Sequence, residues 1–371
     1  MMESQCHRAD NLVTNRQVRQ RLVATGWDKR KRCVPRRCDK RTKCSSNRVV
    51  DDRPKWTGDT IVSNLVNAAI SNPFLFGLMK LGARQQMQSA AEKKGIAWKN
   101  IVKDLQENAR LGQLYSQVQD PSVDFPPYYT VAFHGYDAGN LNWLAAFEVE
   151  PATDAMALIV YKEELDIQPR EAQDKMRNDI YSQVLDYMSE AGCREVKTAL
   201  DAACSAGIST RSLAKRFPDA QVIGMDLSPY FLAVAELREE EIQDSAKHPG
   251  YKRIQYIHGN VEDSRLGDES IDMVSCQYLA HELPGVAIEN VIAEFARILR
   301  PGGMAAFVDT DPKSPVLQNL PAPIFTLMKS TEPWADEYFT FDFEDCLRKH
   351  GFKNVKIVSC NPRHRVIMGK K

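Results

Sequence analysis

Residues 200–207 form the stretch of the sequence most suited to ligand binding. They read Leu-Asp-Ala-Ala-Cys-Ser-Ala-Gly, and they lie between a predicted strand and a helix that begins near Ser209. Small residues such as Ala203, Cys204 and Ser205 let the chain turn tightly and approach a ligand closely. The first turn of the helix also directs unpaired backbone amides into the crevice at the end of the sheet. A ligand-binding turn is predicted here, and a tight strand-to-helix turn without a ligand is the alternative.

Two later loops have the residues expected of a nucleotide site. Asp226 ends the next predicted strand, twenty-five residues after Asp201. An acidic side chain at that place accepts hydrogen bonds from both ribose hydroxyls of an adenosine ligand. In the following loop, the side chain of Asn260 and the backbone amide of Val261 suit an adenine ring. Capping of the next helix by Asp226 and an ordinary polar loop at Asn260 are the alternatives.

In this order the motifs resemble those of class I S-adenosylmethionine-dependent methyltransferases. The likeness continues through Ser-Ile-Asp-Met-Val at 270–274 and Leu-Arg-Pro-Gly-Gly at 299–303, and it covers about residues 175–369. It is strongest to the small-molecule branch related to ubiquinone and menaquinone enzymes. Residues 57–165 are similar, more distantly, to the front part of poorly characterised plastid and cyanobacterial methyltransferases.

The resemblance implies a fold, a cofactor and a reaction. The expected fold is α/β: a Rossmann-like seven-stranded sheet with an antiparallel last strand, preceded by a helical and loop-rich N-terminal cap. The expected cofactor is S-adenosylmethionine, and the expected reaction is methyl transfer to a small-molecule acceptor such as a quinone, a phenol or a small thioether acid. The residues leave open whether an oxygen, sulfur, nitrogen or carbon atom is methylated.

The resemblance also implies a set of cofactor contacts, and this sequence departs from the family within that set. Alanine and serine stand at 203 and 205 where the family usually has glycine, and asparagine replaces the usual aspartate at 260, whose carbonyl oxygen still accepts a hydrogen bond. Asp201 is expected to accept from the amino group of the methionine part. The predicted cofactor-binding residues are Asp201, Ala203, Cys204, Ser205, Gly207, Asp226, Leu227, Asn260, Val261 and Gln277.

The acceptor side has three candidate catalytic residues. His281 and Glu282 follow the fourth predicted strand, and an imidazole titrates close enough to neutral pH to act as a general base. Mutual orientation of these two side chains is the alternative role. His134 lies in the aromatic segment 128–137, which suits either a lid over a small substrate or a structural cap. A base is needed only if the acceptor must lose a proton.

Strands and helices alternate from Pro169 onwards, as expected of a parallel sheet with right-handed crossovers. The chain then ends in two strands, 355–360 and 365–369, whose short connection requires an antiparallel hairpin. Helices are predicted over 57–120 with a break at Pro73, and a loop-and-strand segment or cap over 121–168. The predicted domains are a basic segment (1–55), a cap region (56–168) and the methyltransferase domain (169–371).

The charge is distributed unevenly along the chain. The 371 residues have zero formal net charge, yet residues 1–50 contain fourteen Lys and Arg against four Asp and Glu. Residues 1–55 are therefore predicted to be disordered. If this segment is a transit peptide, the chain is expected in a plastid or another organelle. If it is not, the chain is expected in the cytoplasm. A plain tail and a nucleic-acid-binding arm are the alternatives.

Composition also limits the partners. No apolar run is long enough to predict a transmembrane segment, although contact with a membrane surface stays open. No nucleic-acid partner is expected, because the body of the chain after residue 50 is acidic. The oligomeric state is not predicted. No metal is predicted, since Cys33, Cys38 and Cys44 are spaced too loosely for a zinc knuckle.

Three other classes of protein remain alternatives. A non-catalytic scaffold with this fold is compatible with Ala203 and Ser205, but it gives Asp201, Asp226 and Gly207 little reason to occur together. A nicotinamide-dependent oxidoreductase requires a three-glycine fingerprint that this turn lacks. A nucleic-acid methyltransferase is supported by the basic segment alone.

Overall fold

The computed structural model describes residues 73–164, 166–244, 254–320 and 331–371. All of them belong to one compact unit, Val49–Lys371. The basic segment 1–55 and the start of the predicted cap helices lie outside the described residues. The first described helix begins at Pro73, where the sequence predicts a break.

A seven-stranded sheet organises the second half of the chain. Its spatial order is β3-β2-β1-β4-β5-β7-β6. Strands β1 to β5 pair in parallel, whereas β7 runs antiparallel to both β5 and β6. The strands are β1 (Thr198–Ala202), β2 (Gln221–Asp226), β3 (Ile254–His258), β4 (Ile271–Gln277), β5 (Leu299–Thr310), β6 (Lys353–Ser359) and β7 (His364–Lys370).

Helices precede the sheet and cover both of its faces. The helices of the cap are α1 (Pro73–Lys93), α2 (Trp98–Gln106), α3 (Leu111–Val118) and α4 (Trp143–Val160). The helices of the sheet domain are α5 (Pro169–Ala191), α6 (Ile208–Arg216), α7 (Pro229–Asp244), α8 (Gly285–Ile298), α9 (Pro315–Gln318), α10 (Ala335–Thr340) and α11 (Phe343–Lys349).

Alternation along the strands divides the core into two layers. Successive side chains of a strand point to opposite faces of the sheet. Leu200 accordingly packs in a cluster with residues of α8 and α11, and its neighbour Ala199 packs in a cluster with residues of α5. Burial of both faces is typical of parallel sheets with crossover helices. The cap packs through α3 and α4 against α7, and Ala157 and Val160 at the end of α4 pack in the same cluster as Ala199 of the sheet.

The predicted loop-and-strand character of 121–168 is wrong for its second half. Residues Trp143–Val160 form α4, with Pro151 inside the helix. An interior proline costs a helix about 3 kcal/mol. Two features offset this cost: Asn142 caps the helix by accepting a 2.9 Å hydrogen bond from the Ala145 amide, and residues on one helix face, such as Ala146, are buried. Tertiary packing therefore outweighs the local helix-breaking signal.

The predicted fold class is confirmed. The sheet has seven strands, the last one antiparallel, and helices and loops precede it. Among the described residues, no helix is both long and apolar enough to cross a membrane.

Candidate functional site

A cavity of about 470 Å³ opens at the carboxyl ends of the central strands. In parallel sheets this edge is where ligands bind. Its cofactor side consists of residues 203–206, 226–227 and 259–261, which follow β1, β2 and β3. Its acceptor side contains His134, His281, Glu282 and Glu332. Both sides line one continuous space.

The turn after β1 keeps a glycine-like backbone without the usual glycines. Ala203 and Ser205 have φ angles of 57° and 50°, in the left-handed region. This conformation costs an L-residue roughly 1–2 kcal/mol. Hydrogen bonds hold the turn in place, since the Cys204 amide donates to the Met225 carbonyl at 3.0 Å. The backbone therefore approaches the cavity as a glycine-rich turn does.

Asp226 connects two of the loops on the cofactor side. One carboxylate oxygen accepts from the Ser205 amide at 2.8 Å, and the other accepts from the Ser228 amide at 2.7 Å. Burial raises the pKa of Asp226 to about 6. Each oxygen retains a second lone pair for a ligand. Helix capping was the alternative role for Asp226. Instead, Ser228 caps α7, because its hydroxyl oxygen accepts a hydrogen bond from the Phe231 amide.

Asp201 and Gly207 lie beneath the turn instead of lining the cavity. One oxygen of Asp201 accepts from the hydroxyls of Ser209 and Thr210, both at 2.7 Å, and thereby fixes the start of α6. Its other oxygen, Oδ1, is buried without a hydrogen-bond partner among the described residues. Burial raises the pKa of Asp201 to about 6. Contact between Asp201 and a ligand stays a prediction.

Gly207 is required by its surroundings. Its φ is +78°, and a Cβ at this position falls 2.1 Å from the hydroxyl oxygen of Tyr256. Any larger residue therefore collides with a buried side chain in addition to adopting an unfavourable backbone conformation. This glycine lets the loop close over the end of the sheet.

Arg177 is a cavity residue that the sequence analysis missed. It comes from α5 and is 7% exposed, and its Nη1 donates to the Gln277 side chain. Its Nε has no hydrogen-bond partner among the described residues. The signal was present in the sequence, because Arg177 lies on the same helix face as the apolar Ile180 and Tyr181. A buried guanidinium with a free N–H suits a ligand carboxylate.

On the acceptor side, His281 is paired with Asp309 at the end of β5. The distance from His281 Nδ1 to Asp309 Oδ1 is 2.8 Å, and the His281 amide also donates to Asp309 at 3.2 Å. Burial alone lowers the pKa of His281, but the charge and hydrogen bond of Asp309 outweigh it and raise this pKa to about 10. Burial likewise opposes the ionisation of Asp309, yet His281 keeps its pKa below the ordinary value. At neutral pH the two form an imidazolium–carboxylate pair.

Two further carboxyl groups face the same space. Glu282 Oε2 accepts from the Asn140 side chain of the cap at 3.2 Å. Burial raises the pKa of Glu282 to about 8 against the charge of His281, and burial also raises the pKa of Glu332. Glu332 has no sequence signal, because no motif surrounds it. His134 reaches this group from the cap, with its Nε2 4.0 Å from Glu332 Oε1.

The structure brings most of the predicted site residues together. All three predicted catalytic residues, His134, His281 and Glu282, line the cavity. The predicted cofactor residues that line it are Ala203, Cys204, Ser205, Asp226, Leu227, Asn260, Val261 and Gln277. Their roles in binding and catalysis stay predictions.

Comparisons with known proteins agree with this geometry. Residues 200–307 match the family described as a methyltransferase domain. An uncharacterised methyltransferase of Synechocystis sp. is 29% identical over 157 residues, which are 42% of this chain and 67% of that protein. The ubiquinone biosynthesis O-methyltransferase of Hahella chejuensis is 31% identical over 147 residues, which are 39% of this chain and 57% of that protein.

Solved structures include a phosphoethanolamine N-methyltransferase of Haemonchus contortus in complex with S-adenosylmethionine. It is 16% identical to this chain, with a TM-score of 0.40 and coverage of 52% of either chain.

Residues 200–307 belong to a class I S-adenosylmethionine-dependent methyltransferase domain. The matched residues 200–307 contain the turn after β1, Asp226 and the acceptor-side pair His281–Glu282. The predictions of this class, of a methyltransferase enzyme domain and of its cofactor are confirmed.

Proposed function

We propose that this protein transfers a methyl group from S-adenosylmethionine to the hydroxyl oxygen of a small, partly apolar molecule. One observation carries the proposal: most of the predicted cofactor residues and an acid–base group line the same cavity of about 470 Å³. Because that space has to hold both molecules, the acceptor must be small. Tyr128, Tyr129 and Phe339 also line the cavity and offer aromatic surface to such a molecule.

The residues on the cofactor side fit the parts of the cofactor. Asp226 has lone pairs for the two ribose hydroxyls, and Asn260 lies where an adenine amino group can be bound. Arg177 Nε and Ser205 Oγ are buried polar atoms without hydrogen-bond partners among the described residues. Since buried polar groups are normally paired, these two atoms suit the carboxylate and amino groups of the methionine part.

On the acceptor side, Glu282 and His281 divide the proton chemistry. The Glu282 carboxylate lines the cavity, and its raised pKa makes it an effective base near neutral pH. His281 is held as a proton donor by Asp309, so it stabilises negative charge that develops on the acceptor oxygen. This assignment differs from the sequence-based hypothesis, in which His281 is the base.

The atoms of the reaction balance with these roles. When bound, the cofactor supplies a methyl group on a positively charged sulfur, and the sulfur keeps the electron pair of the broken bond. Glu282 takes the hydroxyl proton while the acceptor oxygen forms its new bond to carbon. The walls of the cavity orient the reacting atoms in line and exclude water.

Calorimetric titration of the full chain tests the cofactor site. S-adenosylmethionine and its demethylated product are titrated into wild type, Asp226→Ala and Asp219→Ala. Hydrogen bonds to a charged group contribute about 1.5–3 kcal/mol, so loss of Asp226 is expected to weaken binding about 100-fold. Asp219 is exposed before the start of β2 and serves as the matched control. No binding to wild type overturns the proposal.

A panel of labelled methyl acceptors tests the reaction. Phenols and hydroquinols are incubated with methyl-labelled cofactor, beside thiols and amines of similar size. Transfer to oxygen supports the proposal, and transfer confined to sulfur or nitrogen contradicts the assignment of the acceptor atom.

A further inference from the structure

We propose that His134, His281 and Glu332 form a binding site for a divalent transition-metal ion at the acceptor side of the cavity. The ligand atoms of these three residues all lie within 4.8 Å of one another. The inference rests on the proposed function for its role in the reaction, but the binding itself is measured independently. The sequence predicts no metal, and these three residues come from distant parts of the chain.

The three side chains arrive from separate elements and are held toward each other. His134 belongs to a cap loop and His281 to the 3₁₀ turn after β4, and their ring centroids are 6.4 Å apart. The backbone amide of His134 donates to the Thr331 carbonyl at 3.1 Å, which ties the cap loop to the residue before Glu332. Because bonds from Zn²⁺ to nitrogen and oxygen are about 2.0–2.2 Å long, the ligand atoms must approach one another by about 1 Å to bind a single ion.

The pairing of His281 resembles that of a metal-bound imidazole. Its Nδ1 is engaged by Asp309 at 2.8 Å, so Nε2 is the nitrogen left for an ion. Histidines that bind metals usually donate their other ring nitrogen to a carboxylate, which fixes the ring and makes it a better ligand. Asp309 is 1% exposed and is itself held by the Thr310 amide. The carboxylate is therefore rigidly placed.

His134 adopts a backbone conformation that non-glycine residues rarely have. Its φ is +48°, in the left-handed region. Such strain persists only where surrounding structure imposes it, and it is concentrated at functional sites. Its direct consequence here is that the imidazole reaches the cavity wall beside Glu332.

The donor set decides the class of ion. Two imidazole nitrogens and one carboxylate oxygen suit Zn²⁺, Fe²⁺ or Co²⁺, whereas Mg²⁺ and Ca²⁺ prefer oxygen ligands alone. Three protein ligands leave at least one coordination position open, as in catalytic sites. All three residues line the cavity, so that position faces the acceptor. The ion replaces the proton on His281 Nε2 and takes over the proposed stabilisation of negative charge, so that an acceptor oxygen bound there becomes more acidic and Glu282 accepts its proton.

Cobalt substitution tests the site on the full-length protein. The protein is stripped with a chelator, and Co²⁺ is then added while the visible absorption of the ion is followed. We expect one Co²⁺ per chain with the intense absorption of low-coordinate cobalt, displaced by Zn²⁺. Calorimetry with Zn²⁺ then measures the affinity.

Variants distinguish this site from others. His134→Ala and Glu332→Gln are each expected to weaken Zn²⁺ binding at least about 100-fold, and Asp309→Asn about 10- to 100-fold. His350→Ala is the matched control, because His350 belongs to a second group of ligand-type side chains with Glu289 and Cys346. Cobalt absorption that disappears in His350→Ala but persists in His134→Ala overturns the proposal, as does the absence of absorption in wild type.

Failure of this inference and failure of the proposed function give different results. If the metal-free protein binds S-adenosylmethionine but no variant-sensitive metal, the metal site is refuted and methyl transfer stands. If metal binds as expected and S-adenosylmethionine does not, the metal site stands and the proposed methyl transfer is refuted. Circular dichroism of each variant confirms that a lost signal is not a loss of folding.

Discussion

The two sides of the cavity are built on different principles. On the cofactor side, polar groups come from three loops in sequence order, and Asp226 is already paired with one backbone amide of the turn after β1 and one of its own loop. On the acceptor side, His134, His281 and Glu332 come together from distant segments and line the same cavity. The first arrangement shapes a site for one fixed ligand. The second places ionisable groups where small changes of geometry alter the chemistry.

The largest expected effect lies on the acceptor side. Glu282→Gln removes the proposed base while keeping a side chain of the same size, so kcat is expected to fall about 10²- to 10⁴-fold. Affinity for S-adenosylmethionine should stay within a factor of a few. Glu269→Gln, an exposed glutamate outside the cavity, is the control. Full activity of the Glu282→Gln variant contradicts the proposed role of Glu282 as the base.

On the cofactor side, the largest effect is expected on stability. Gly207→Ala places a Cβ against Tyr256 and leaves an alanine at a φ of +78°. Overpacking and left-handed strain together are expected to lower the free energy of unfolding by about 3 kcal/mol. Urea denaturation measures the loss, and Gly267→Ala is the control because its added Cβ meets only ordinary contacts. Equal stability of the two variants contradicts the close approach of the turn to β3.

A smaller effect is expected from pH. Asp226 has its pKa raised to about 6, and only the ionised form accepts both ribose hydroxyls. Affinity for the cofactor should therefore be constant above pH 6 and fall about tenfold for each pH unit below it. The free energy of unfolding depends on pH in the opposite sense. Because the raised pKa of Asp226 means that the folded chain binds this proton more tightly than the unfolded chain, this group stabilises the fold as pH falls through 6.

Calorimetry at several pH values measures this dependence, with Asp226→Asn as the comparison. The variant should bind more weakly and lose the dependence. A dependence that persists in Asp226→Asn assigns the titration to Asp201, whose pKa is also raised to about 6.

The smallest effect concerns Ala203, one of the two residues that replace the family's usual glycines. Ala203→Gly relieves about 1–2 kcal/mol of left-handed strain but gives the unfolded chain additional freedom that offsets about 0.4–1 kcal/mol. A net stabilisation of about 0.5–1 kcal/mol is expected in thermal unfolding. Ala206→Gly, a change in the same turn without a positive φ, is expected to destabilise instead. A loss of stability in Ala203→Gly shows that contacts of the alanine side chain stabilise the fold by more than the left-handed backbone destabilises it.

Sequence patterns were sufficient for the sheet domain and most of the cofactor side. The signals there are local: a small-residue turn after β1, an aspartate at the end of β2, and strands separated by helices. Parallel strands place their carboxyl ends along one edge, so residues that follow successive strands must meet. The same reasoning placed His281 and Glu282 in the cavity but could not pair His281 with Asp309.

The sequence misled where local and tertiary signals disagree. Glu150-Pro151 resembles the end of a segment, yet burial of one face of α4 stabilises a helix through that proline. Arg177 differs from this case, because its place on the apolar face of α5 already indicates burial, and only the structure shows that it lines the cavity with a free N–H.

By itself, then, the sequence determined the class of domain, its parallel sheet with an antiparallel last strand, and the loops predicted to face the cofactor, because each depends on short-range patterns and on the geometry of parallel sheets. Only the tertiary structure decided which ionisable groups meet at the acceptor side. His134 and Glu332 are separated by almost two hundred residues, and no local pattern relates them. Packing of the cap against α7, together with the hydrogen bond from His134 to Thr331, brings these two side chains to the same wall of the cavity.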